Sequence, residues 1–299
     1  MSRGTGKPRM NLSLDCVPCV VRHALEAARF ASSDPAIHEQ VLREVLSEAA
    51  GWDMRLSAPV LSQHVHRRLR ALTGIADPYR DAKRRFNELA LEVLPELQVK
   101  VQTAADPLEL AVRLAIAGNV IDLGVNGGLR ESDIRLSLSQ SLSDPFAGDL
   151  NSFRTAISEA GEILYLADNT GEIVFDRLLV ERLPAGRVTV AVRGAPVLND
   201  ATMADARITG LDQIAEVVDN GSDAPGTILE DCSSGFRKRF EDADTIIAKG
   251  QGNFETLAGS PRNIFFLLKI KCPVVAAHTG LEIGSQALIH QRGRLREGR

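Results

Sequence analysis

Five short polar clusters in the second half of the chain bring together residue types that do chemistry: Asp168-Asn169, Asn199-Asp200, the run from Asp219 to Gly226, the run from Lys249 to Asn253, and His278-Thr279-Gly280. Asp and Asn oxygens without a dense Cys or His cluster suit Mg(II) or Mn(II), or a borderline metal that accepts oxygen. Gly221, Gly226, Gly250 and Gly252 would let backbone N–H groups approach an anion. Lys249 offers a point positive charge of the kind that holds phosphate. A cation, a lysine and an amide nest together describe a phosphate-ester site better than a carbonyl or hydride site. Asp168 also has a simpler reading, as the cap of the helix that opens at Glu172.

The elements that must position these groups are strands followed by helices. ILYLA (163–167) is a buried apolar run that stops on Asp168-Asn169, and amphipathic helical spacing begins at Glu172. Further buried strands are expected at 188–192, 214–218, 245–248 and 274–277, with helical patterns between most of them. Alternation of this kind predicts an α/β fold, a Rossmann-like, largely parallel sheet flanked by helices. In such a sheet the strand exits share one edge, so the five clusters converge whatever the strand order. No GxGxxG follows the first strand and no GxxxxGK[ST] occurs, which predicts no nucleotide cofactor and disfavours a methyltransferase on a similar sheet.

The first half reads differently. Helical spacing starts near Leu14, with Asp15 as N-cap and Pro18 in the first turn, and continues over 35–50, 58–73, 79–93 and 107–117, with Pro95 expected to close the fourth helix. The expected organisation is a disordered tail (1–12), an all-helical N-terminal subdomain (13–117), a metal- and phosphate-binding α/β domain (118–290) and a basic tail (291–299). AGNVIDLGVNGG, from Ala117, reads as a helix end, a short apolar stretch and a glycine-rich loop.

With 299 residues, of which 44% are hydrophobic, the chain can bury one large core or two smaller ones. Aromatic residues make up 4% and the net charge is −4, which argues against a nucleic-acid partner. The basic start has no apolar run behind it, and nowhere do about 20 apolar residues follow one another, so a cytoplasmic protein with no membrane partner is expected. Cys16, Cys19, Cys232 and Cys272 are too few and scattered for a disulfide framework. Cys16 and Cys19, with His23 four residues on, could share a helix face as a second metal or redox site; reduced cysteines packing the first helix against the sheet are the expectation. His64 and His66 are expected at the surface, and His278 to bond a loop.

ADNTGE (167–172), the Asn199-Asp200 pair before a helix, DNGSDAPGT (219–227) and KGQGNFE (249–255) together resemble the metal-dependent damage-control phosphatases, formerly domain-of-unknown-function family eighty-nine. LDCVPCVVR and AGNVID resemble its microbial branch, and the likeness runs from about residue 12 to 285. The resemblance implies one divalent ion (Mn, Mg, Co or Ni) on Asp168, Asn169 and Asp200, and hydrolysis of small phosphorylated metabolites, sugar phosphates among them. It puts substrate-side positions on Glu172 and on the loop with Gln251, Gly252 and Asn253, and one on Lys269 or Lys271. Asn119 and Asp219 complete the expected substrate contacts. Asp168, Glu172 and Lys249 form the expected catalytic set, with Glu172 orienting water or capping its helix. The reading from another class is a non-catalytic phospho-ligand-binding or Cys-based redox or metal module.

Overall fold

The computed structural model describes residues 10–119 and 131–293. Most of the expected glycine-rich loop after Asn119, and most of both tails, lie outside the described residues.

Helices α1 (Cys16–Ala31), α2 (Pro35–Ala49) and α3 (Ala58–Thr73) bury a small core of their own around Ala24, Ala28, Val41, Leu61 and Leu69. Their ends follow local chemistry. The Asp34 side chain accepts from Ala36 N–H ahead of Pro35, and Gly74 closes α3 in the left-handed region at φ 69°. Helix α4 (Arg80–Thr103) continues through Pro95, which sequence alone made its end. The proline removes one backbone hydrogen bond, but Leu94, Leu97 and Val101 keep the helix seated in the core beyond it.

That core is not the one under α1–α3. Residues of α4 and of α5 (Pro107–Ala117) pack with α8 (Glu172–Val180) and one face of the sheet, so the last two helices expected in an N-terminal subdomain belong to the core of the α/β layer. His64 is exposed as expected, but His66 is buried against Tyr79, with ring centroids 6.0 Å apart. Burial pushes the His66 pKa down to about 4, with the Arg70 charge adding to the effect.

The sheet has seven strands: β1 (Phe146–Gly148), β2 (Ile163–Leu166), β3 (Val188–Val192), β4 (Glu216–Asp219), β5 (Thr245–Lys249), β6 (Ile264–Lys269) and β7 (Gln286–Gln291), in the order β1-β7-β6-β5-β2-β3-β4. Pairings from β4 across to β6 are parallel, and β7 runs antiparallel to β6. The α/β, mostly parallel expectation is what the structure shows. One expected strand is wrong: 274–277 lies in helix α12 (Pro273–Thr279), and the strand of that region is β6 just upstream. Pro273 at the first helical position and Gly280 at φ 75° after the last are helix signals that outweigh an apolar run. Hence His278 is not at a strand exit, whereas Lys269 and Lys271 are.

The chain builds outward from β2 in both directions, through β3 and β4 on one side and β5 and β6 on the other. The point of divergence lies between β2 and β5, where an open α/β sheet forms its crevice. No helix among the described residues is long and apolar enough to cross a membrane.

Candidate active site

Strand β2 is buried along its whole length and delivers Asp168 and Asn169 to the mouth of that crevice. The loop carrying Asp200 is tied to them through the backbone. Thr170 N–H donates to Asn199 O at 2.8 Å, Ala201 N–H to Asp168 O at 2.8 Å, and Arg193 N–H to Ala201 O at 2.9 Å. An isolated antiparallel bridge pairs Asn169 with Asp200. Thirty residues of sequence are thus closed by main-chain bonds, which hold the two segments in register.

Arg193 marks where the charges converge. Its Nε donates to Asp200 Oδ2 at 2.6 Å, Nη2 lies 3.4 Å from Asp168 Oδ1, and Nη1 lies 3.4 Å from Asn253 Oδ1. One buried guanidinium therefore touches two of the expected ligands. Arg193 is not among the residues singled out from the sequence; its position directly after the buried strand β3 was the available signal.

The Asp168 carboxylate is seated against Gly250. A Cβ built there would fall 1.8 Å from Asp168 Oδ2, and φ is +76°, so both the contact and the backbone demand glycine. Gly252 meets Pro225 in the same way, its Cβ position lying 2.3 Å from Pro225 O. These glycines let loops pack on each other and on a carboxylate; their expected use as an anion nest has a packing role in its place.

Lys249 also has a different place from the free charge expected. It is fully buried, and its ammonium donates to Ala115 O at 2.8 Å, Glu172 Oε1 at 2.5 Å and Asp176 Oδ1 at 2.6 Å. Three donors meet three acceptors, leaving none for a phosphoryl oxygen. Burial opposes its charge, but Asp176 and Glu172 more than offset this and raise its pKa. Asp176 is pushed up to about 6 by burial, against the pull of Lys249.

Glu172 joins the two sets. Its Oε2 accepts from Asn169 Nδ2 at 3.1 Å and Asn119 Nδ2 at 2.9 Å, and Asn169 Nδ2 also donates to Asp168 Oδ2 at 2.9 Å. Of the two candidate lysines, Lys271 reaches this cluster, donating to Asn119 O at 2.9 Å, while Lys269 pairs with Asp144 at 2.8 Å. Asn253 is buried and tied to Ala167 O, Lys249 O and the Thr227 hydroxyl, so it braces loops. Gln251 turns to Glu255, and Asp219 is an exposed turn former bonded to Gly221 N–H at 3.0 Å. Neither joins Asp168 through these bonds.

Among the described residues, no three His, Cys, Asp or Glu side chains gather as an ion site by themselves. The expected donor set, two carboxylates and an amide from Asp168, Asp200 and Asn169, draws on three residues of which only two are carboxylates. Hard oxygen donors of this kind fit a divalent ion, while the Arg193 guanidinium beside them already offsets part of their charge. Cys16 and Cys19 are partly exposed, with Cys19 Sγ 3.9 Å from His23 Nε2. They lie on a helix whose core is formed with α2 and α3, not with the sheet. Burial raises both thiols, which keeps them protonated at neutral pH.

Comparison with known proteins agrees with this architecture. A solved structure, a DUF89 family protein from Pyrococcus horikoshii, superposes with a TM-score of 0.87 at 30% identity, covering 95% of this chain and 100% of that one. A protein named damage-control phosphatase from Archaeoglobus fulgidus is 35% identical over 281 residues, 92% of this chain and 97% of that one. Another so named, from Pyrococcus horikoshii, is 32% identical over 295 residues, 96% of this chain and 100% of its own. Residues 12–287 match the damage-control phosphatase ARMT1-like domain, and with a match of that extent the chain belongs to that family.

Proposed function

We propose that the protein is a divalent-metal-dependent phosphomonoester hydrolase acting on small phosphorylated metabolites. The observation that carries this reading is the backbone closure that brings Asp168, Asn169 and Asp200 together, with Arg193 against both carboxylates. Family membership supports phosphatase chemistry; the requirement for Mn, Mg, Co or Ni and the small-metabolite substrate are inferences from the donor set and the resemblance.

Asp168, Asn169 and Asp200 would hold the ion, which when bound supplies Lewis-acid stabilisation of phosphoryl charge and a more acidic water. Arg193, beside both carboxylates, would offer a phosphoryl group a second positive charge, and its planar fork suits two oxygens. Asn119, bonded to Glu172, and Lys271, bonded to Asn119 O, would orient the rest of the substrate. Attack comes either from water or from Asp168 itself, in line with the leaving alkoxide. Trapping of labelled phosphate on the protein during turnover separates the two. A Cys-based redox module has less support, because burial disfavours both thiolates.

The test is phosphate release from p-nitrophenyl phosphate with EDTA and with added Mn(II), Co(II), Ni(II) or Mg(II). Activity that needs a metal and falls by about a thousandfold or more in Asp168→Ala is expected, since a ligand and a possible nucleophile are lost together. Near-normal rates in a folded Asp168→Ala protein would overturn the reading.

A further inference from the structure

Asn169 can present its side-chain oxygen to a cation only if its amide is turned one way. Nδ2 faces two carboxylate oxygens, Asp168 Oδ2 at 2.9 Å and Glu172 Oε2 at 3.1 Å. Rotating the amide by half a turn would set its oxygen against both anions, so the orientation follows from the charge on those groups. Glu172 itself is held at both ends. Oε2 takes the amides of Asn169 and Asn119, and Oε1 takes the Lys249 ammonium at 2.5 Å.

Behind Lys249 stands a group that nothing in the proposed chemistry uses. Asp176 lies one helical turn past Glu172 on the same face of α8, fully buried. Its Oδ1 accepts from Lys249 Nζ at 2.6 Å and from the Tyr165 hydroxyl at 2.8 Å, while Oδ2 has no hydrogen-bond partner. An interior carboxylate with an orphan oxygen burdens folding, and an apolar side chain there would be easier to bury. Its effect on Lys249 gives the reason. With Asp176 and Ala115 O fixing two of the three ammonium protons, the third has Glu172 as its acceptor, and the ammonium cannot swing toward the crevice.

We propose that Asp176 is a positioning residue: with Tyr165 it pins Lys249 against Glu172, and through Glu172 it turns the Asn169 amide so that its oxygen faces the cation. The proposal rests on the metal-dependent reading above. It makes the buried cluster a relay of orientation, running Tyr165–Asp176–Lys249–Glu172–Asn169, with Asp176 touching neither the ion nor the substrate.

The experiment titrates Mn(II) into the full-length protein, following free Mn(II) by EPR, alongside steady-state hydrolysis of p-nitrophenyl phosphate and thermal unfolding. Asp176→Asn keeps the size and removes the charge. Its Mn(II) Kd is expected to rise about tenfold, as for loss of an outer partner of a metal ligand. At saturating Mn(II) its kcat should fall while KM stays within about twofold, because the substrate contacts survive. Lys249→Met should behave alike, and the double variant should bind Mn(II) no more weakly than the worse single one. Unchanged Mn(II) affinity in a folded Asp176→Asn protein would overturn the proposal, as would losses that multiply in the double variant. If Asp176→Asn does not fold, Tyr165→Phe decides: an Mn(II) Kd raised about threefold by loss of one hydrogen bond supports the relay, and an unchanged one overturns it. A wild-type protein that neither binds Mn(II) nor releases phosphate removes the reading beneath and the proposal with it. Wild-type activity with indifferent variants removes the proposal alone.

Discussion

Arg193 is held by Asp200 and Asp168 in a site where water has little access. Replacing it by methionine keeps much of the volume but leaves two buried carboxylates facing each other, an imbalance that costs about 3–5 kcal/mol when one partner of a buried pair is removed. The Arg193→Met protein is therefore expected to melt at a lower temperature without metal. Added Mn(II) should raise its melting temperature more than it raises that of the wild type, because a cation then restores the missing charge. Equal shifts in the two proteins would mean that the carboxylates do not converge on one ion. The sequence offered candidate oxygen donors as Asp and Asn at strand exits, of which Asp219 turns out to be a turn former. It did not show that Lys249 turns inward: a lysine ending a strand looks the same whether its ammonium meets substrate or two carboxylates from the following helix. One of those two, Asp176, stands among Ile173, Val174, Phe175, Leu178 and Leu179, and a carboxylate within so apolar a run was the overlooked sign.

Among the elements, α8 begins on Gly171 rather than on a polar side chain of its own, and the cap comes from elsewhere. Gly171 N–H donates to Asn87 Oδ1 of α4 at 2.8 Å, and Asn87 Nδ2 reaches Asp205 Oδ1 at 3.0 Å. This also answers the question of Asp168, which faces the site and does not cap the helix. Asn87→Ala leaves a buried donor and a buried carboxylate oxygen short of a partner, for a loss of about 1–3 kcal/mol that urea unfolding would measure. Activity should fall further than stability, because Asn169 and Glu172 flank the loosened turn. Strands β2, β3 and β5 were legible as apolar runs bounded by turn residues. The strand at β6 was hidden by a second apolar run only a few residues later, and β7 by its polar alternation, QALIHQ, after a loop with no strong turn pair.

At the scale of the molecule, the α1–α3 layer is tied to the site loops by charge. Arg67 donates to Asp223 and Asp231 at 2.6 and 3.0 Å, Arg70 bonds Asp223 and Pro196 O, and Gln63 reaches both aspartates at 2.7 Å. His66 lies buried beside this latch and stays neutral down to about pH 4, against an ordinary value of 6.5. The unfolded chain binds the proton first, so stability is complete above about pH 6.5 and is lost as pH falls toward 4. The displacement is worth roughly 3 kcal/mol. His66→Gln should flatten the fall of melting temperature over this window, measured against the wild type in the same buffers. Glu255, raised by burial to about 7, acts in the opposite sense, gaining stability on acidification below pH 7. The difference between the two proteins isolates the histidine. A parallel course of the two curves would show that His66 carries no such linkage.

The sheet's outer strands have a consequence for how the protein behaves in a crowded solution. β1 is three residues long, and β4 is four, with Glu216 paired to Arg239 at 2.7 Å. Rims so short, one of them bearing an ion pair, give a neighbouring chain little to zip onto, so aggregation by strand addition is blunted at both ends while the apolar strands β2, β5 and β6 stay paired on both sides.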